Sequence, residues 1–521
     1  MAGGKVCGGY RNLTAILATE SVTDKGQGNC FRASLASSTL PIVEPRAFFV
    51  AGRPVHGEGE LTVTHPYDGR VVGRTTVATP DQVEAAVAAA AGVAAAAAAL
   101  PAHARAAALD HVSRRLAERA DEVAALITAE NGKPVKWAKA EVGRAVSTFR
   151  WAAEEARRFS GELQRLDTDP AATGRIALVR RVPRGPVLGI APFNFPLNLV
   201  AHKVAPAIAV GTPIVVKPAP ATPLSALLLG EILAETELPE GMFSVLPLPN
   251  ERAAELVADP RLPVVSFTGS GPVGAAIRRA APEKHVTLEL GGNAAAVICE
   301  DWSSDEDLTF AAHRIATFAN YQAGQSCIAV QRVYVHEWLY DGFLPRLVAA
   351  VQELRTGDPT SELTDVGPLV SVEAAERVEA WVDEAVAAGA TIEFGGRREG
   401  ATYPPTVLSG VPSSAKVCRE EIFGPVLVVT PIENDQAAFA AVNDSAYGLQ
   451  AGIFTHNLQT AFLASRTLEV GGVIVGDVPS YRADQMPYGG VKGSGVGREG
   501  LRSAMEDYTE PRVMVLTGLA L

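Results

Sequence analysis

The sequence predicts an α/β protein built on open, mostly parallel sheets. The chain has 521 residues, enough for several packed domains at roughly 100 to 200 residues each. Its composition, 47% hydrophobic and 20% charged, is typical of a globular protein and excludes a wholly disordered chain. In the middle of the chain, short apolar runs alternate with amphipathic stretches, which is the pattern that βαβ units produce.

The N-terminal part predicts an extension followed by strands and helices. Residues 1–45 mix Gly, Ser and Thr with scattered charges and have no sustained period, so we expect them to be poorly ordered. A strand-turn pattern over Phe48–Val55 and Leu61–Val72 then precedes a helical region from Asp81 to about Ser160. The Ala, Glu and Arg content of that region and its 3.6-residue spacing predict surface helices.

Two successive alternations predict two α/β units. In the first unit, strands are predicted at Val187–Ala191, Pro213–Val216, Met242–Leu248, Val264–Phe267 and Val286–Leu290, and helices at Leu224–Leu233 and Arg252–Val257. In the second unit, which follows Ala294, strands are predicted at Cys327–Val335 and Val426–Pro431, and helices at Tyr340–Leu354 and Val372–Ala388.

Charge and cysteine content exclude several classes of function. A net charge of −12 argues against nucleic acid or an anionic membrane as a partner, because both require a basic face. The 5 cysteines include no C-x-x-C pair, so we expect neither a disulfide framework nor a metal site, and a cytoplasmic location. The alanine-rich stretch Val83–Leu100 has short side chains and precedes a charged helix, so we do not interpret it as a membrane span.

A glycine-rich turn is the first candidate binding site. Gly269–Gly274 matches G-x-G-x-x-G directly after a predicted strand, and Glu289 lies 20 residues beyond the first glycine. This arrangement is typical of a turn that binds a dinucleotide, with the acid on a ribose. An ordinary turn explains the same motif equally well in a chain with 48 glycines.

Three polar residues adjoin predicted strands. Cys327 ends the small polar stretch Ala-Gly-Gln-Ser-Cys and is either an inert buried thiol or a nucleophile. Asn194 stands in a stretch with two prolines and is either a turn residue or a rigid amide donor for an oxyanion. Lys217 ends an apolar strand, where it either faces a ligand crevice or extends to solvent.

These segments together resemble the aldehyde dehydrogenase superfamily. Glu420–Pro425 (Glu-Glu-Ile-Phe-Gly-Pro) and Pro487–Gly495 (Pro-Tyr-Gly-Gly-Val-Lys-Gly-Ser-Gly) complete the set, and the motifs stand in the family's order from about Ala47 to the C-terminus. The resemblance implies NAD(P)-dependent, non-acylating oxidation of an aldehyde to a carboxylate through a cysteine thiohemiacetal and a thioester. It also implies the family's fold, with two α/β domains and a small bridging oligomerisation sheet.

The resemblance further implies a division into domains. The dinucleotide-binding domain is expected at 46–165 and 184–292, and the catalytic domain at 293–485. The oligomerisation element is expected at 166–183 and 500–521. Because this element joins subunits in the family, we expect a homodimer or a homotetramer.

Three residues match the family's catalytic groups. Cys327 matches the nucleophile and Asn194 the amide of the oxyanion hole. Glu289 matches the general base that activates the deacylating water, which replaces the ribose interpretation of this residue. No metal is implied.

The implied cofactor is NAD or NADP. Residues that match the family's cofactor contacts are Gly269 and Ser270 in the pyrophosphate turn, Gly274 as its second glycine, Lys217 at the adenosine ribose, Glu421 at the nicotinamide ribose and Phe423 at the nicotinamide ring. Pro220 departs from the pattern, because many relatives have a glutamate there. A carboxylate would repel a 2′-phosphate and a proline does not, so the sequence leaves both cofactors open.

Two arginines indicate the substrate. Arg144 and Arg482 match positions where relatives that oxidise glyceraldehyde 3-phosphate or phosphonoacetaldehyde bind anions. A third arginine of those relatives is Ser326 here, which favours a small polar or anionic aldehyde of the semialdehyde or lactaldehyde type over a phosphorylated one. In the alternative interpretation both arginines are structural and pair with Glu141 and Asp484.

Two other functions stay open at this point. A coenzyme-A-acylating relative would also use a thiol and a nicotinamide but typically lacks the deacylating acid, so Glu289 argues against it. A catalytically silent structural protein on the same fold would tolerate loss of Cys327, Asn194 and Glu289, all of which are present.

Overall fold

The computed structural model describes residues 44–518, so the predicted extension at 1–45 lies outside the described residues except for its last two positions. The helices are α1 (Pro80–Ala99), α2 (Ala102–Glu118), α3 (Ala120–Asn131), α4 (Val135–Arg158), α5 (Asn198–Val210), α6 (Leu224–Ala234), α7 (Ala253–Ala258), α8 (Gly271–Ala280), α9 (Asp305–Asn320), α10 (Glu337–Gln352), α11 (Val372–Ala387), α12 (Lys416–Arg419), α13 (Asp435–Asn443), α14 (Leu458–Thr467) and α15 (Leu501–Asp507).

The strands are β1 (Phe48–Val50), β2 (Arg53–Val55), β3 (Glu58–Thr64), β4 (Val71–Val77), β5 (Glu162–Arg165), β6 (Arg175–Pro183), β7 (Val187–Ile190), β8 (Ile214–Lys217), β9 (Phe243–Val245), β10 (Val264–Thr268), β11 (His285–Glu289), β12 (Ala295–Ile298), β13 (Arg332–His336), β14 (Thr391–Phe394), β15 (Thr406–Ser409), β16 (Val426–Ile432), β17 (Tyr447–Gly448), β18 (Gln450–Phe454), β19 (Gly472–Val475), β20 (Val491–Lys492), β21 (Gly495–Val496) and β22 (Thr509–Thr517).

An eight-stranded sheet has the order β2-β1-β9-β8-β7-β10-β11-β21. Its five central strands, β9 to β11, are parallel, and the flanking strands are antiparallel. The register pairs Ile190 with Lys217 and Thr268 with Glu289. The carboxyl ends of four neighbouring strands therefore meet at one edge, where open α/β sheets bind their ligands.

A seven-stranded sheet has the order β14-β15-β16-β13-β12-β18-β19. All its neighbours from β15 to β19 are parallel, and β14 is antiparallel. Strands β12 and β18 are buried along their whole length, which is typical of parallel strands covered on both faces. The two sheets confirm the predicted α/β class.

Helices α1 to α4 occupy the predicted helical region. A capping box formed by Thr79 and Gln82 begins α1, and Gly132, in the left-handed conformation with φ of 75°, ends α3. Helix α1 contacts β1 and β8 of the eight-stranded sheet, whereas α2, α3 and α4 pack on one another and on α5 and α6. Leu109, Val142 and Phe149 are fully buried in the core that these helices share with the sheet.

Helix α1 differs from the expectation in one respect. By length and composition it could cross a membrane, with a mean hydropathy of 1.5 over an 18-residue window. Alanine supplies most of this hydropathy. Val83 and Val87 are buried in the core of the eight-stranded unit, so packing accounts for the apolar face of the helix.

A three-stranded sheet has the order β22-β6-β5. Strands β6 and β22 pair over nine residues, from Thr509 opposite Pro183 to Thr517 opposite Arg175. Strand β5 precedes the segment 166–183 in which the bridging sheet was expected. Leu501 and Met505 of α15 are buried in the core of the eight-stranded unit. The C-terminal segment therefore contributes both to that core and to the three-stranded sheet.

One strand prediction was wrong at a site residue. Of the segment Cys327–Val335, the part that forms a strand begins at Arg332. Cys327 lies in a turn, because the three residues Gln322, Ala323 and Gly324 have left-handed φ angles of 53°, 54° and 69° and reverse the chain after α9. The apolar pattern of the segment could not distinguish this turn from an extended strand.

Candidate active site

A cavity of about 840 Å³ lies outside the carboxyl ends of β7, β8, β10 and β11. The sequence-predicted residues that line it are Asn194, Lys217, Pro220, Gly269, Ser270, Glu289, Cys327, Glu421 and Phe423. Three other predicted residues, Gly274, Arg144 and Arg482, do not line it. The fold thus brings together side chains from distant parts of the sequence.

The thiol of Cys327 is half-buried at this cavity, and its Sγ lies 2.9 Å from the hydroxyl oxygen of Tyr488. Burial raises the pKa of the thiol to about 12, although the bond to Tyr488 acts in the opposite direction. Since the thiolate is the nucleophilic form, this cysteine requires partners that stabilise its charge.

The turn before Cys327 is held in a strained conformation. Gln322 and Ala323 have positive φ values, which cost L-residues of order 1 kcal/mol each. Gly324 allows the backbone of this turn to approach the backbone of Gly424 closely, because a Cβ at this position would lie 2.1 Å from the carbonyl oxygen of Gly424. Gln325 Nε2 donates to the carbonyl of Gln322 at 3.2 Å and ties the turn to itself.

Asn194 is buried next to this turn. Its Nδ2 donates to the carbonyl of Gln325 at 2.9 Å, and its own carbonyl accepts a bond from Gln322 Nε2. An amide nitrogen carries two hydrogens, and the structure describes one acceptor for it. The second hydrogen is suited to an oxyanion formed at Cys327.

Glu289 ends β11 and is buried. Neither of its carboxylate oxygens has a hydrogen-bond partner among the described residues. Burial, followed by the charge of Glu499, raises the pKa of Glu289 well above its ordinary range. Gly489 leaves room for it, since a Cβ there would come within 2.8 Å of Glu289 Oε1. A carboxyl group of raised pKa in a cavity is suited to accept a proton from water.

A buried charged group lies behind Glu289. Glu499 accepts bonds from Lys203 Nζ at 3.2 Å and from Arg482 Nη2 at 3.1 Å, and Lys203 also donates to Thr268 Oγ1 at 2.7 Å. Although burial acts to raise it, these two cations hold the pKa of Glu499 at about 2. Sequence reasoning missed Lys203 and Glu499; the one available signal was a charged residue inside the apolar segment that forms α5.

The glycine-rich turn has the geometry of an anion site. Gly269 and Ser270 precede the N-terminus of α8, where backbone N–H groups favour a phosphate. A Cβ on Gly269 or Gly274 would lie 2.5 or 2.6 Å from a neighbouring side chain, whereas one on Gly271 would have nothing within 4 Å. The first and last glycines are therefore required for packing, whereas the middle glycine of the motif is not.

Lys217 and Pro220 lie at the same end of the cavity. Lys217 Nζ donates to Asn250 Oδ1 at 2.9 Å, and burial lowers the pKa of this lysine to about 8. The neighbouring lining residues Pro220, Asn250 and Ala253 are uncharged. Lys217 thus supplies a cation to this part of the cavity, and the carboxylate that acts on it, that of Glu251, does not line the cavity.

Glu421 and Phe423 also line the cavity. Glu421 Oε1 accepts a bond from the backbone of Gly292 at 3.0 Å, and burial raises its pKa to about 7. A Cβ on Gly291 would lie 2.0 Å from the Glu421 carboxylate, so a glycine is needed there. The ring of Phe423, whose φ is 47°, meets Phe193 edge to face at 5.9 Å and forms a flat apolar wall.

Arg144 pairs with an acid, as one interpretation of the sequence expected. Its Nη2 lies 3.0 Å from Asp484 Oδ1. The other expected acid, Glu141, instead forms a buried pair with Lys133 and accepts from the backbone at the start of α5. Arg144 is about one-third exposed, so it remains accessible at the surface.

Arg482 has different partners from those expected. It pairs with Glu499 and not with Asp484. Its guanidinium carbon lies 3.8 Å from the centre of the Tyr488 ring, and its Nε is buried with no partner among the described residues. A single aromatic ring thus separates this cation from the thiol of Cys327.

The part of the chain that the structure describes contains no group of three or more His, Cys, Asp or Glu side chains that could hold a metal ion. The site itself brings together a thiol, an amide and two carboxyl groups, with buried cations behind them.

Comparisons with known proteins agree with this geometry. The model of the "Aldehyde dehydrogenase family" matches residues 54–514. The 3-sulfolactaldehyde dehydrogenase of Priestia aryabhattai is 42% identical over 471 residues, which cover 89% of this chain and 98% of the relative.

Two solved structures are similar over nearly their whole length. Aldehyde dehydrogenase 21 from Physcomitrella patens, in complex with the reaction product succinate, is 46% identical with a TM-score of 0.89 and covers 92% of this chain and 100% of its own. The NADP-dependent glyceraldehyde-3-phosphate dehydrogenase from Bacillus halodurans, complexed with NADP, is 33% identical with a TM-score of 0.87. The match covers 91% of this chain and 99% of the other.

The uncharged lining at Pro220 generates a prediction on cofactor preference. Pro220→Glu should shift the ratio of kcat/KM for NADP to that for NAD at least about tenfold toward NAD, because a new carboxylate repels the 2′-phosphate by about 1.4 kcal/mol or more. Both cofactors should be measured with the same aldehyde. Pro220→Ala removes the ring without adding charge and should leave the ratio unchanged; an unaltered ratio in Pro220→Glu would mean that this position does not face the 2′ oxygen.

Proposed function

The chain belongs to the aldehyde dehydrogenase family, and from this premise we propose which aldehyde it takes and how its residues divide the reaction. It is an oxidoreductase that acts on aldehydes with NAD or NADP as acceptor. The proposed substrate is a small polar or anionic aldehyde, of the semialdehyde or lactaldehyde type.

The observation that carries the substrate proposal is the buried charge of Arg482 beside the nucleophile. Lys203 and Arg482 share a single acid, Glu499, and the raised pKa of Glu289 favours its neutral form. With Glu289 protonated this group carries one excess positive charge. An anionic substituent on the substrate would compensate for it in a site of low dielectric.

The similar proteins support an anionic substrate. The Priestia relative is named for a sulfonated aldehyde, and the Bacillus enzyme is named for a phosphorylated one. The Physcomitrella structure contains the dicarboxylate succinate as its reaction product. Ser326 stands where the phosphate-binding relatives place a third arginine, which favours a carboxylate or a sulfonate over a phosphate here.

The proposed chemistry begins at Cys327. Its thiolate attacks the aldehyde carbon, and the oxyanion accepts hydrogen bonds from Asn194 Nδ2 and from the backbone N–H of Cys327. Oxidation of the resulting thiohemiacetal to a thioester requires a hydride acceptor, which a bound dinucleotide would supply. Glu289 then takes a proton from the water that attacks the thioester, which releases a carboxylate and restores the thiol.

The residues proposed to hold the dinucleotide lie along the cavity. Gly269, Ser270 and the start of α8 would bind the pyrophosphate, with Gly274 allowing the helix to pack closely. Lys217 would bind the adenosine ribose, and Glu421 and Phe423 the nicotinamide ribose and ring. The eight-stranded unit, at 46–165 and 184–292, would then be the dinucleotide-binding domain, and 293–485 the catalytic domain.

A cytoplasmic location is also part of the proposal. The three cysteines among the described residues, Cys299, Cys327 and Cys418, are free thiols. A reducing compartment would keep the nucleophile in its active form.

The reaction is tested by reduced-cofactor formation from succinate semialdehyde, 3-sulfolactaldehyde, lactaldehyde and the neutral butanal, with NAD and with NADP, each with and without coenzyme A. We expect turnover that does not depend on coenzyme A and is abolished in Cys327→Ala. A requirement for coenzyme A would establish the acylating alternative. No turnover with any aldehyde would favour a catalytically silent protein.

The role of Arg482 gives a quantitative prediction. Arg482→Ala should lower kcat/KM for succinate semialdehyde roughly 10- to 150-fold, because it removes a buried positive charge whose attraction for an anionic substituent across the Tyr488 ring is about 1.5 to 3 kcal/mol, and should have a much smaller effect on butanal. Arg314→Ala breaks the ion pair with Asp477 and serves as the control for loss of an arginine. Equal losses for both aldehydes in Arg482→Ala would mean that Arg482 supports the fold and does not bind the substrate.

The role of Glu289 predicts a change in kinetics and in pH dependence. Glu289→Gln should give a burst of reduced cofactor followed by a steady state about 10²- to 10⁴-fold slower, because the thioester forms but is not hydrolysed. The active carboxylate appears only as pH rises through its raised pKa, so wild-type kcat should rise with pH above the ordinary glutamate range and the variant should lack this rise. Glu421→Gln, which removes the other acid lining the cavity, should show no burst; the same burst there would contradict the assignment.

We further propose that the three-stranded sheet joins subunits into a homodimer or a homotetramer. Its strands β5 and β22 are edge strands, and Leu163, Val513 and Met514 expose 62%, 57% and 53% of their surface. Apolar side chains on a free sheet edge are typical of an interface.

The interface predicts an effect of charge on assembly. Met514→Lys should shift the mass measured by light scattering after gel filtration toward a smaller species, because a charge is costly in a buried apolar contact. Leu458→Lys changes an even more exposed residue, at 71%, on helix α14 and should leave the mass unchanged. An unaltered mass in Met514→Lys would place the interface elsewhere.

A further inference from the structure

Tyr488 is the nearest polar partner of the nucleophile, and neither the motifs nor the proposed reaction gives it a role. It lies between β19 and β20 and exposes only 3% of its surface. Its hydroxyl oxygen is 2.9 Å from Cys327 Sγ. This contact joins residues that are 161 positions apart.

The position of the hydroxyl is fixed on several sides. The backbone N–H of Tyr488 donates to the carbonyl of Glu499 at 3.0 Å, and the reciprocal bond is 2.7 Å. The guanidinium of Arg482 covers one face of the ring, and Ile328 and Leu449 pack against it. A side chain held in this way keeps its hydroxyl at the sulfur without further loss of conformational entropy.

The chemistry of the pair decides which group donates. Burial, together with the neighbouring Cys327, raises the pKa of Tyr488 well above its ordinary value, so its hydroxyl stays protonated over the working pH range. A thiolate can only accept. Once Cys327 ionises, the bond must therefore run from Tyr488 Oη–H to Sγ.

The other ionisable groups around the sulfur act in both directions. After burial, Glu421 and Glu289 raise the pKa of the thiol, while Arg482 lowers it. The bond from Tyr488 is the largest contribution that favours the thiolate. Charge-assisted bonds of this kind are about twice as strong as neutral ones.

We propose that Tyr488 is a catalytic residue, whose hydroxyl donates a hydrogen bond to the Cys327 thiolate and thereby raises the fraction of the enzyme that can attack the aldehyde. In the attack, a sulfur lone pair forms the S–C bond, the carbonyl electrons move to the oxygen, and Tyr488 keeps its proton. This inference rests on the proposed role of Cys327 as the nucleophile.

The test follows thiolate formation and not turnover. Cys327 in Tyr488→Phe and in the wild type is alkylated with iodoacetamide across a range of pH, with and without NADP, and the Cys327 peptide is quantified by mass spectrometry. The variant retains the ring beneath Arg482 and loses only the hydroxyl. We expect its alkylation profile to move upward by about 1 to 2 pH units, the equivalent of one hydrogen bond to a charged group.

The same loss predicts the size of the rate change near neutral pH. The thiolate fraction falls about 10- to 100-fold, while each thiolate becomes about 3- to 10-fold more nucleophilic at a Brønsted coefficient of about 0.4 to 0.5. The net alkylation rate should therefore fall about 3- to 10-fold. Well below the pKa of both thiols the two profiles are parallel, so a steric effect is distinguished from loss of the bond by a variant that changes the acidity of the hydroxyl and hardly changes its size.

Two further variants make the result decisive. Tyr321→Phe removes a neighbouring hydroxyl that lies 2.6 Å from Ser326 Oγ and makes no described bond to Cys327; its profile should match the wild type. Site-specific 3-fluorotyrosine at 488 has a more acidic hydroxyl and should move the profile downward, a result that does not require Tyr488→Phe to fold. An unmoved profile in either position-488 variant would overturn the proposal.

Failure of this inference can be told apart from failure of the proposed function. If alkylation of Cys327 does not abolish aldehyde oxidation, the nucleophile assignment itself is wrong. If alkylation abolishes oxidation but the position-488 variants leave the profile unchanged, only the role of Tyr488 is wrong.

Discussion

The parallel alignment of β8, β7, β10 and β11 is the constraint on which the site depends. Because neighbouring parallel strands end at the same edge, Lys217, Asn194, Gly269 and Glu289 follow or end strands that lie side by side. The turn that carries Cys327 then approaches this edge from the seven-stranded unit, and Asn194 is bonded to it. A change of register in any of these strands would separate the thiol from the carboxyl group.

Burial sets the electrostatics of the site. It raises the pKa values of Cys327, Glu289 and Glu421, so each of these groups favours its neutral form in the free enzyme. The cations Lys203 and Arg482 offset this by holding Glu499 ionised. Positive charge therefore lies next to groups that would become anionic in the proposed reaction, which is the arrangement that electrostatic preorganisation requires.

The geometry around Cys327 and Glu421 depends on glycines that let neighbouring segments approach closely. Gly324 and Gly291 each occupy a position where a side chain would collide with Gly424 or with Glu421. Strained Gln322 is held by two bonds, since its Nε2 donates to the carbonyl of Asn194 and its own carbonyl accepts from Gln325 Nε2. The strain before Cys327 is thereby supported by a bond to the segment that follows β7 and by a bond within the turn.

The sequence by itself determined the α/β class, the helical region before residue 160, and the strand ends that carry Lys217 and Glu289, because apolar periodicity is a local property. Through motif resemblance it also located Cys327, although the strand predicted there is a turn. Only the tertiary structure decided the partners of the charged side chains. Cys327 and Tyr488 are 161 positions apart, and Lys203 and Glu499 are 296 apart. No local pattern records such contacts, since they arise only when the sheets place distant loops at one edge.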